Sequence, residues 1–368
     1  MQPCFCVSLC PENDAKALTI TPEHQAIIAH PLVAAIVVFS YNIENTKQFK
    51  QWVADVQKTA ILAGKRNGIP LLIDHEGGWI QRFSRGGFPN HPSQEWLGNM
   101  YEHIAKKYPA AAIDMLQKAG HDMGSFLNEY GLIPLAPVAD VHHINNPIIA
   151  SLGRGIGHNA DEVIERLGHL IDGLHQANVP VCLKHFPGHG AVTQDSHLTQ
   201  PIDHRDKSTL EKECFKVFKQ LNQSKKIHAI MPAHILFPQI DPEHIVTYSP
   251  RWHNIMRQEL NFSGALISDC LCMKGGGEQS LRQKIISSLP YLDALIICHQ
   301  PSHKIIPLLN SLIDQPDNSV SNQRLEQWLH QDHYHNCYRN LANHSSIHFK
   351  PSTNFAEKSN FFQHNLQI

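Results

Sequence analysis

The chain has 368 residues, 42% of them hydrophobic, which is enough to bury a large core as one big domain or two ordinary ones. Its formal net charge is −2 with the histidines neutral, so no basic excess points to nucleic acid or to an anionic membrane surface, and neither is expected as a partner. No apolar run approaches the ~20 residues of a membrane span, and the opening MQPCFCVSLCPEND lacks the basic and apolar regions of a secretory signal, so a cytoplasmic protein is expected.

Taken in chain order, eight short apolar runs read as strands: Phe5 to Leu9, Val33 to Phe39, Pro70 to Ile73, Ile133 to Val138, Val179 to Leu183, His228 to Met231, Ala265 to Ile267 and Ala294 to Cys298. Helical patterns lie between them. Thr21 followed by Pro22 is a cap and first-turn pair that opens a short helix ending before Pro31. Phe49, Trp52, Val53, Val56 and Ala60 share one helical face, as do Val163, Leu167, Leu170, Ile171 and Leu174. Leu210, Cys214, Val217, Phe218 and Leu221 repeat the spacing and predict one helix there. Residues from about Ser84 to Pro109 read as a long insertion rich in proline and glycine. Strands apolar on both faces, alternating with one-sided helices, predict a parallel sheet covered by helices. Eight such units favour a single (β/α)₈ TIM-like barrel over residues 1–343, and the polar stretch 344–368 reads as a loosely ordered C-terminal extension.

The nine cysteines are odd in number and show no paired spacing; Cys4, Cys6, Cys10, Cys182, Cys270, Cys272 and Cys298 fall in or beside apolar runs and read as buried free thiols. Cys4, Cys6 and Cys10 lack the second pair that a metal site needs, and no metal or cofactor is expected. Most of the 27 histidines read as surface or loop residues, since no metal site needs so many.

In a barrel, catalytic groups come from the C-terminal ends of several strands. Here the third run ends in Asp74-His75-Glu76, the fourth in Asp140 with His142 and His143, the fifth in Lys184-His185, the sixth in His234 and the seventh in Ser268-Asp269. One strand-end aspartate alone reads as a helix cap. Ionisable groups at five of eight ends read as one polar mouth. A metal hydrolase would use converging histidines, but an early H-x-H after the first run is missing. A glycosidase would use a nucleophilic carboxylate and a separate acid/base. Asp269 fits the first role; Glu76, or His197 backed by Asp195, fits the second.

Lys184-His185-Phe186-Pro187-Gly188-His189-Gly190, followed by Asp195-Ser196-His197 and Pro201, resembles the motif of the bacterial β-N-acetylhexosaminidases of glycoside hydrolase family 3. The resemblance extends to His30-Pro31-Leu32-Val33, Asp74-x-Glu76-Gly77-Gly78-x-x-Gln81-Arg82-Phe83, Ala136-Pro137-Val138-x-Asp140, Met231-Pro232-Ala233-His234 and Ser268-Asp269-x-Leu271-x-Met273-x-Gly275, covering roughly 17–273. It implies a barrel enzyme that removes terminal β-linked N-acetylglucosamine with retention. The implied substrates are peptidoglycan recycling fragments, GlcNAc-1,4-anhydro-MurNAc with or without peptide. It further implies Asp269 as nucleophile, His197 paired with Asp195 as acid/base on a mobile loop, and Asp74, Arg154, Lys184 and His185 as substrate-binding residues. Lys184 is expected to keep Asp269 ionised, and Gly188 and Gly190 to hinge the acid/base loop. The chain departs from the family where Trp79 replaces an arginine, Cys270 an aspartate and Lys274 a glutamate, and around Arg154, where Gly-Asp-Arg-Ser-Phe becomes Leu152-Gly153-Arg154-Gly155-Ile156. Two alternatives remain open: a GlcNAc phosphorylase, because a histidine repels incoming phosphate less than a carboxylate would, and a catalytically degenerate GlcNAc-binding homologue.

Overall fold

All eight apolar runs become strands of one parallel sheet in the computed structural model, which describes residues 4–11, 16–83, 86–314, 319–329, 332–345 and 347. The strands are β1 (Phe5–Ser8), β2 (Val33–Val38), β3 (Leu71–Ile73), β4 (Leu132–Pro134), β5 (Cys182–Phe186), β6 (Ala229–Pro232), β7 (Ala265–Cys270) and β8 (Ala294–Ile297). Their order is β4-β3-β2-β1-β8-β7-β6-β5, so the first and last strands are neighbours and Val7 lies opposite both Ile36 and Ile297. The remaining seam is closed by the extended segment after β4. Cys182 N–H donates to Ala136 O (2.9 Å), Lys184 N–H to Pro137 O (3.3 Å), and Ala139 N–H to Lys184 O (2.7 Å). The result is a (β/α)₈ barrel, the arrangement that lets two-sided apolar strands bury both faces.

Around it lie α1 (Pro22–Ala29), α2 (Thr46–Leu62), α3 (Gln94–Ala105), α4 (Pro109–Glu129), α5 (Ala160–Gln176), α6 (Lys207–Lys212), α7 (Cys214–Gln223), α8 (Pro250–Asn254), α9 (Leu281–Ser288), α10 (Ser302–Asn310), α11 (Ser319–Leu329) and α12 (Asp332–Ala342). Thr21 caps α1 as its sequence predicts, its hydroxyl oxygen accepting from His24 N–H. Phe49, Trp52, Val53, Val56 and Ala60 turn the predicted face of α2 into the outer core, each large side chain contributing about 1.5–3 kcal/mol by burial. Helices α4 and α5 approach so closely at two glycines that a Cβ on Gly173 would lie 1.9 Å from Gln117 O, and one on Gly120 2.1 Å from Leu170 O.

Two expectations are corrected. The stretch read as an irregular insertion contains α3, whose first turn is capped by Ser93. The single helix predicted over Leu210 to Leu221 is broken at Glu213 (φ −107°, ψ −109°) into α6 and α7. The break lets Cys214 press against Gly188, where a Cβ would lie 2.4 Å from its sulfur, and lets Glu213 pair with Arg205.

The barrel interior holds Cys6, Val37, Leu72, Ile133, Cys182, Ala229, Met231, Ala265, Ile267, Ala294 and Ile296. Its lower end is closed by α11 and α12, which bring Trp328, Leu329, Tyr334 and Tyr338 into the same cluster. Tyr334 Oη–H donates to Leu132 O (3.3 Å) and Tyr338 Oη–H to Gly131 O (2.9 Å), tying these helices to the start of β4. With the bottom sealed, the C-terminal ends of the strands form the open face. The tail expected from 344 onward lies outside the described residues apart from 344, 345 and 347.

Candidate active site

The site's ionisable residues lie at or just beyond the C-terminal ends of β3, β5, β6 and β7 and of the segment that follows β4. At the end of β3, Asp74 accepts from Lys184 Nζ at Oδ1 (3.0 Å) and from Arg82 Nη2 at Oδ2 (2.8 Å). Two residues on, in a short hairpin (His75–Gly77 with Ile80–Gln81), Glu76 receives a bidentate pair from Arg154. Arg154 Nε donates to Oε2 (2.7 Å) and Nη2 to Oε1 (2.9 Å), while Lys184 Nζ lies 2.7 Å from Oε1. Burial pushes both carboxyls up, and the cations override it. Lys184 and Arg82 hold Asp74 far below the carboxylate range, and Arg154 and Lys184 bring Glu76 down to about 2. Glu76 therefore has no proton to donate and both oxygens engaged. Of the two acid/base candidates it is the one whose environment opposes the role.

Asp140, at the end of the segment that closes the barrel, is fully buried and organises the β5 loop. It accepts from His185 Nδ1–H at Oδ2 (2.7 Å) and from the backbone N–H groups of His185 (3.3 Å) and His189 (2.6 Å) at Oδ1. Against its burial, the His185 and His189 contacts keep its carboxyl below the usual range. Holding Nδ1–H in this way leaves Nε2 of His185 as the ring atom available to a ligand.

Asp269 ends β7. Burial raises its pKa, but His234 and His185 lower it, with further help from the Cys270 N–H that donates to Oδ1 (2.7 Å), so the carboxyl stays below its ordinary value. Lys184 contributes least of these, since its ammonium is spent on Asp74 and Glu76. Lys184 thus helps keep Asp269 ionised, as expected, and the two histidines and the backbone add to its effect. His234 is held in turn by Thr247 Oγ1 (2.7 Å) and by the Cys270 carbonyl, which lies 3.2 Å from Nε2.

His197 and Asp195 form the pair expected of them. Both the backbone N–H and Nδ1 of His197 reach Asp195 Oδ1 at 2.8 Å, and those bonds outweigh burial to lower the Asp195 pKa. The His197 side chain is 60% exposed, on the rim rather than the floor. Its neighbour Ser196 is anchored twice: His189 Nε2 lies 3.1 Å from its hydroxyl, and Gly275 N–H donates to its carbonyl (2.7 Å). The second bond ties the loop bearing His197 to the loop that follows Asp269.

Gly188 and Gly190 do not serve as the expected hinges. A Cβ on Gly190 would lie 1.9 Å from Val141 O, and Gly188 (φ +147°) is pressed against Cys214. His189, between them, is buried, and Asn146 Nδ2 donates to the carbonyls of both His189 (2.8 Å) and Val192 (2.7 Å). Glycine is required here because the backbone packs tightly.

The site thus collects all the residues expected from the sequence: Asp74, Lys184 and Arg154 linked through Glu76, His185 held by Asp140, Asp269 nearby, and Asp195 with His197 at the rim. Sequence reasoning assigned no role to Arg82, Asp140, Ser196, His234 or Gly275. All five stand in the quoted motifs, and that position was the available signal. Among the described residues, no group of three or more His, Cys, Asp or Glu side chains is placed to hold a metal ion, and no helix is long and apolar enough to cross a membrane.

Comparison with known proteins agrees with this architecture. The family model described as "Glycosyl hydrolase family 3 N terminal domain" matches residues 11–323. A protein of Pasteurella multocida named Beta-hexosaminidase is 31% identical over 320 residues, covering 85% of this chain and 87% of its own length. Its namesake from Haemophilus ducreyi is 32% identical over 317 residues, covering 84% and 87%. Among solved structures, NagZ from Neisseria gonorrhoeae in complex with N-trifluoroacetyl-D-glucosamine superposes with a TM-score of 0.75 at 26% identity, over 94% of this chain and 99% of that one.

Proposed function

Because the chain belongs to glycosyl hydrolase family 3 and is a glycosidase, we propose that it is an exo-acting, retaining β-N-acetylglucosaminidase that works in the cytoplasm. Its proposed substrates are peptidoglycan recycling fragments, GlcNAc-1,4-anhydro-MurNAc with or without peptide. The relatives named Beta-hexosaminidase and the N-acylglucosamine held by the gonococcal NagZ support the sugar. One observation carries the mechanism: a carboxylate kept ionised at the end of β7, beside a loop bearing an Asp–His pair that is hydrogen-bonded to the loop after that carboxylate.

In this mechanism Asp269 attacks C1 of the sugar through Oδ2, since Oδ1 is engaged by Cys270 N–H. His197 protonates the glycosidic oxygen from Nε2 while Nδ1–H stays on Asp195, whose charge stabilises the imidazolium. The covalent glycosyl-aspartate is then opened by water, which gives its proton to the neutral His197. Lys184, Asp74, Arg154 and His185 hold the sugar's hydroxyls and N-acetyl side; their ion pairs with one another and with Arg82, Glu76 and Asp140 fix these groups before substrate arrives.

The test is release of p-nitrophenol from its β-N-acetylglucosaminide, with the sugar product identified. Free GlcNAc is expected, with EDTA without effect, and Asp269→Ala should abolish turnover while leaving the circular dichroism spectrum unchanged. GlcNAc-1-phosphate in phosphate buffer would instead support a phosphorylase, and sugar binding without turnover would refute the enzyme reading.

A further inference from the structure

Three sulfurs meet at the floor of the mouth, and the glycosidase mechanism uses none of them. Cys270 directly follows Asp269, Cys272 lies two residues on, and Cys298 is the first residue past β8. Cys298 N–H donates to Cys270 Sγ (3.4 Å) across the β7–β8 pair, in which Cys270 lies opposite Ile296. All three are free thiols. Cys270 and Cys272 are partly exposed, whereas Cys298 is buried. The Lys284 ammonium, held by Met273 O (3.1 Å), lies within electrostatic reach of the Cys270 and Cys272 sulfurs. Hydrogen bonding from the neighbouring Cys272 and Cys298 lowers the pKa of Cys270, while burial raises that of Cys298.

From this geometry we propose that Cys270 and Cys298 form a covalent modification site, a dithiol that a hydroperoxide oxidises to a disulfide across β7 and β8. The Cys270 thiolate attacks one oxygen of hydrogen peroxide; an S–O bond forms as the O–O bond breaks, and the departing hydroxide takes up the proton that Cys270 lost. Cys298 then attacks the sulfenic sulfur as its thiolate; the S–S bond forms, the S–O bond breaks, and the hydroxide released leaves as water with the Cys298 proton. Two thiols and one peroxide become one disulfide and two waters, the two sulfurs giving up two electrons to the peroxide oxygens.

Cys298, rather than Cys272, is the partner. Closing Cys270 onto Cys272 would twist the turn in which Leu271 N–H bonds Ile296 O (2.9 Å) and Met273 N–H bonds Cys270 O (3.0 Å). Closing onto Cys298 leaves both in place and draws together two chains that already touch. The consequence for catalysis rests on the proposed role of Asp269. Cys270 supplies the N–H on Asp269 Oδ1, and its carbonyl lies on His234, so pulling Cys270 toward β8 displaces the nucleophile.

The test exposes the full-length protein to millimolar hydrogen peroxide, blocks the remaining thiols with an alkylating agent, and maps the peptides by mass spectrometry. A Cys270–Cys298 linked peptide is expected, two mass units lighter than the two thiol peptides together. It should be lost on adding dithiothreitol, formed normally in Cys272→Ala, and absent from Cys298→Ala. Glycosidase activity should fall at least about tenfold on oxidation and return with dithiothreitol, while Cys298→Ala keeps its basal activity through the same treatment. Fully alkylatable Cys270 and Cys298, or a link from Cys270 to any other cysteine, would overturn the site. The peptide readout needs no turnover, so it stands or falls apart from the glycosidase reading.

Discussion

Replacing Gly275 with alanine tests whether the contact between two loops positions the acid/base. The Gly275 N–H donates to Ser196 O at 2.7 Å, and a Cβ on residue 275 would lie 2.7 Å from that same oxygen, 3.0 Å from Ser196 Cβ and 3.2 Å from His234 Cβ. Ordinary van der Waals separation requires the Ser196 carbonyl to retreat by roughly 0.5–1 Å. That movement ends the hydrogen bond, at a net cost of about 1 kcal/mol, and carries His197, the next residue, with it. A catalytic group misplaced by about 1 Å loses on the order of 10²-fold in rate. For a β-GlcNAc glycoside with a poor, alkyl-like leaving group, kcat/KM should therefore fall about 30–100-fold. A dinitrophenyl leaving group needs little protonation and should lose less than about tenfold. KM should change little, because the Asp74, Glu76, Arg154 and Lys184 network is not touched. Steady-state kinetics on the two substrates, with the circular dichroism spectrum as a check on folding, decides the matter. Equal losses for both leaving groups, or no loss for either, would refute the claim that this contact places the proton donor.

Removing the donor itself, His197→Ala, should show the same leaving-group dependence more strongly, about 10²–10⁴-fold on the poor leaving group. Glu76→Leu strips the buried Arg154 and Lys184 of a shared partner and should destabilise the fold by about 3–5 kcal/mol, read as a fall in Tm of about 4–6 °C. The same network sets acid stability. Asp74 and Glu76 are depressed in the folded state, so their contribution is complete above the unfolded carboxylate values near pH 4–4.5 and is lost as pH falls toward about 2, the folded value of Glu76. Urea midpoints should begin to fall below about pH 6.5, where His30, His75, His189 and His228 are kept neutral by burial in the fold but take up protons when unfolded. They should fall further below about pH 4 as the carboxylates protonate, with that last part shallower in Glu76→Leu by one proton, about 1.4 kcal/mol per pH unit. Gly173→Ala gains about 1 kcal/mol of helix propensity but forces a Cβ to within 1.9 Å of Gln117 O, so α4 and α5 must separate. A net loss of about 1–3 kcal/mol is expected in denaturant titration.

Much of this was legible before any coordinates. A strand in a parallel barrel is apolar on both faces, so runs such as Val33 to Phe39 and Ala294 to Cys298 announce themselves without reference to the rest of the chain. Thr21-Pro22 is similarly local, because a cap needs only its own next turn. The site residues were visible because a barrel sends its strand ends to one face, so Asp74, Lys184, His185 and Asp269 share a mouth once the strands are counted correctly. The break at Glu213 was not legible: the apolar spacing runs straight through it, and only the approach of Cys214 to Gly188 requires it. Helices α11 and α12 were missed as well, although Tyr334, Cys337, Tyr338 and Leu341 stand at helical spacing in α12; that signal sits in a short, otherwise polar segment, and what holds the helices is a few aromatic side chains under the barrel.

The sequence by itself determined the barrel, its eight strands and the chemical kinds of group at its mouth, because periodicity and strand-end position are properties of neighbours along the chain. Only the tertiary structure decided what those groups do to one another. Glu76 is neutralised by Arg154, 78 residues away, and so is unsuited to giving a proton; Asp140 fixes the ring of His185, 45 residues away. Lys184 is shared among Asp74, Glu76 and, less strongly, Asp269, and the glycines expected to be hinges are pressed against Cys214 and Val141. Protonation and mobility depend on distances through space and on exclusion of water, and neither is set until the strands have closed.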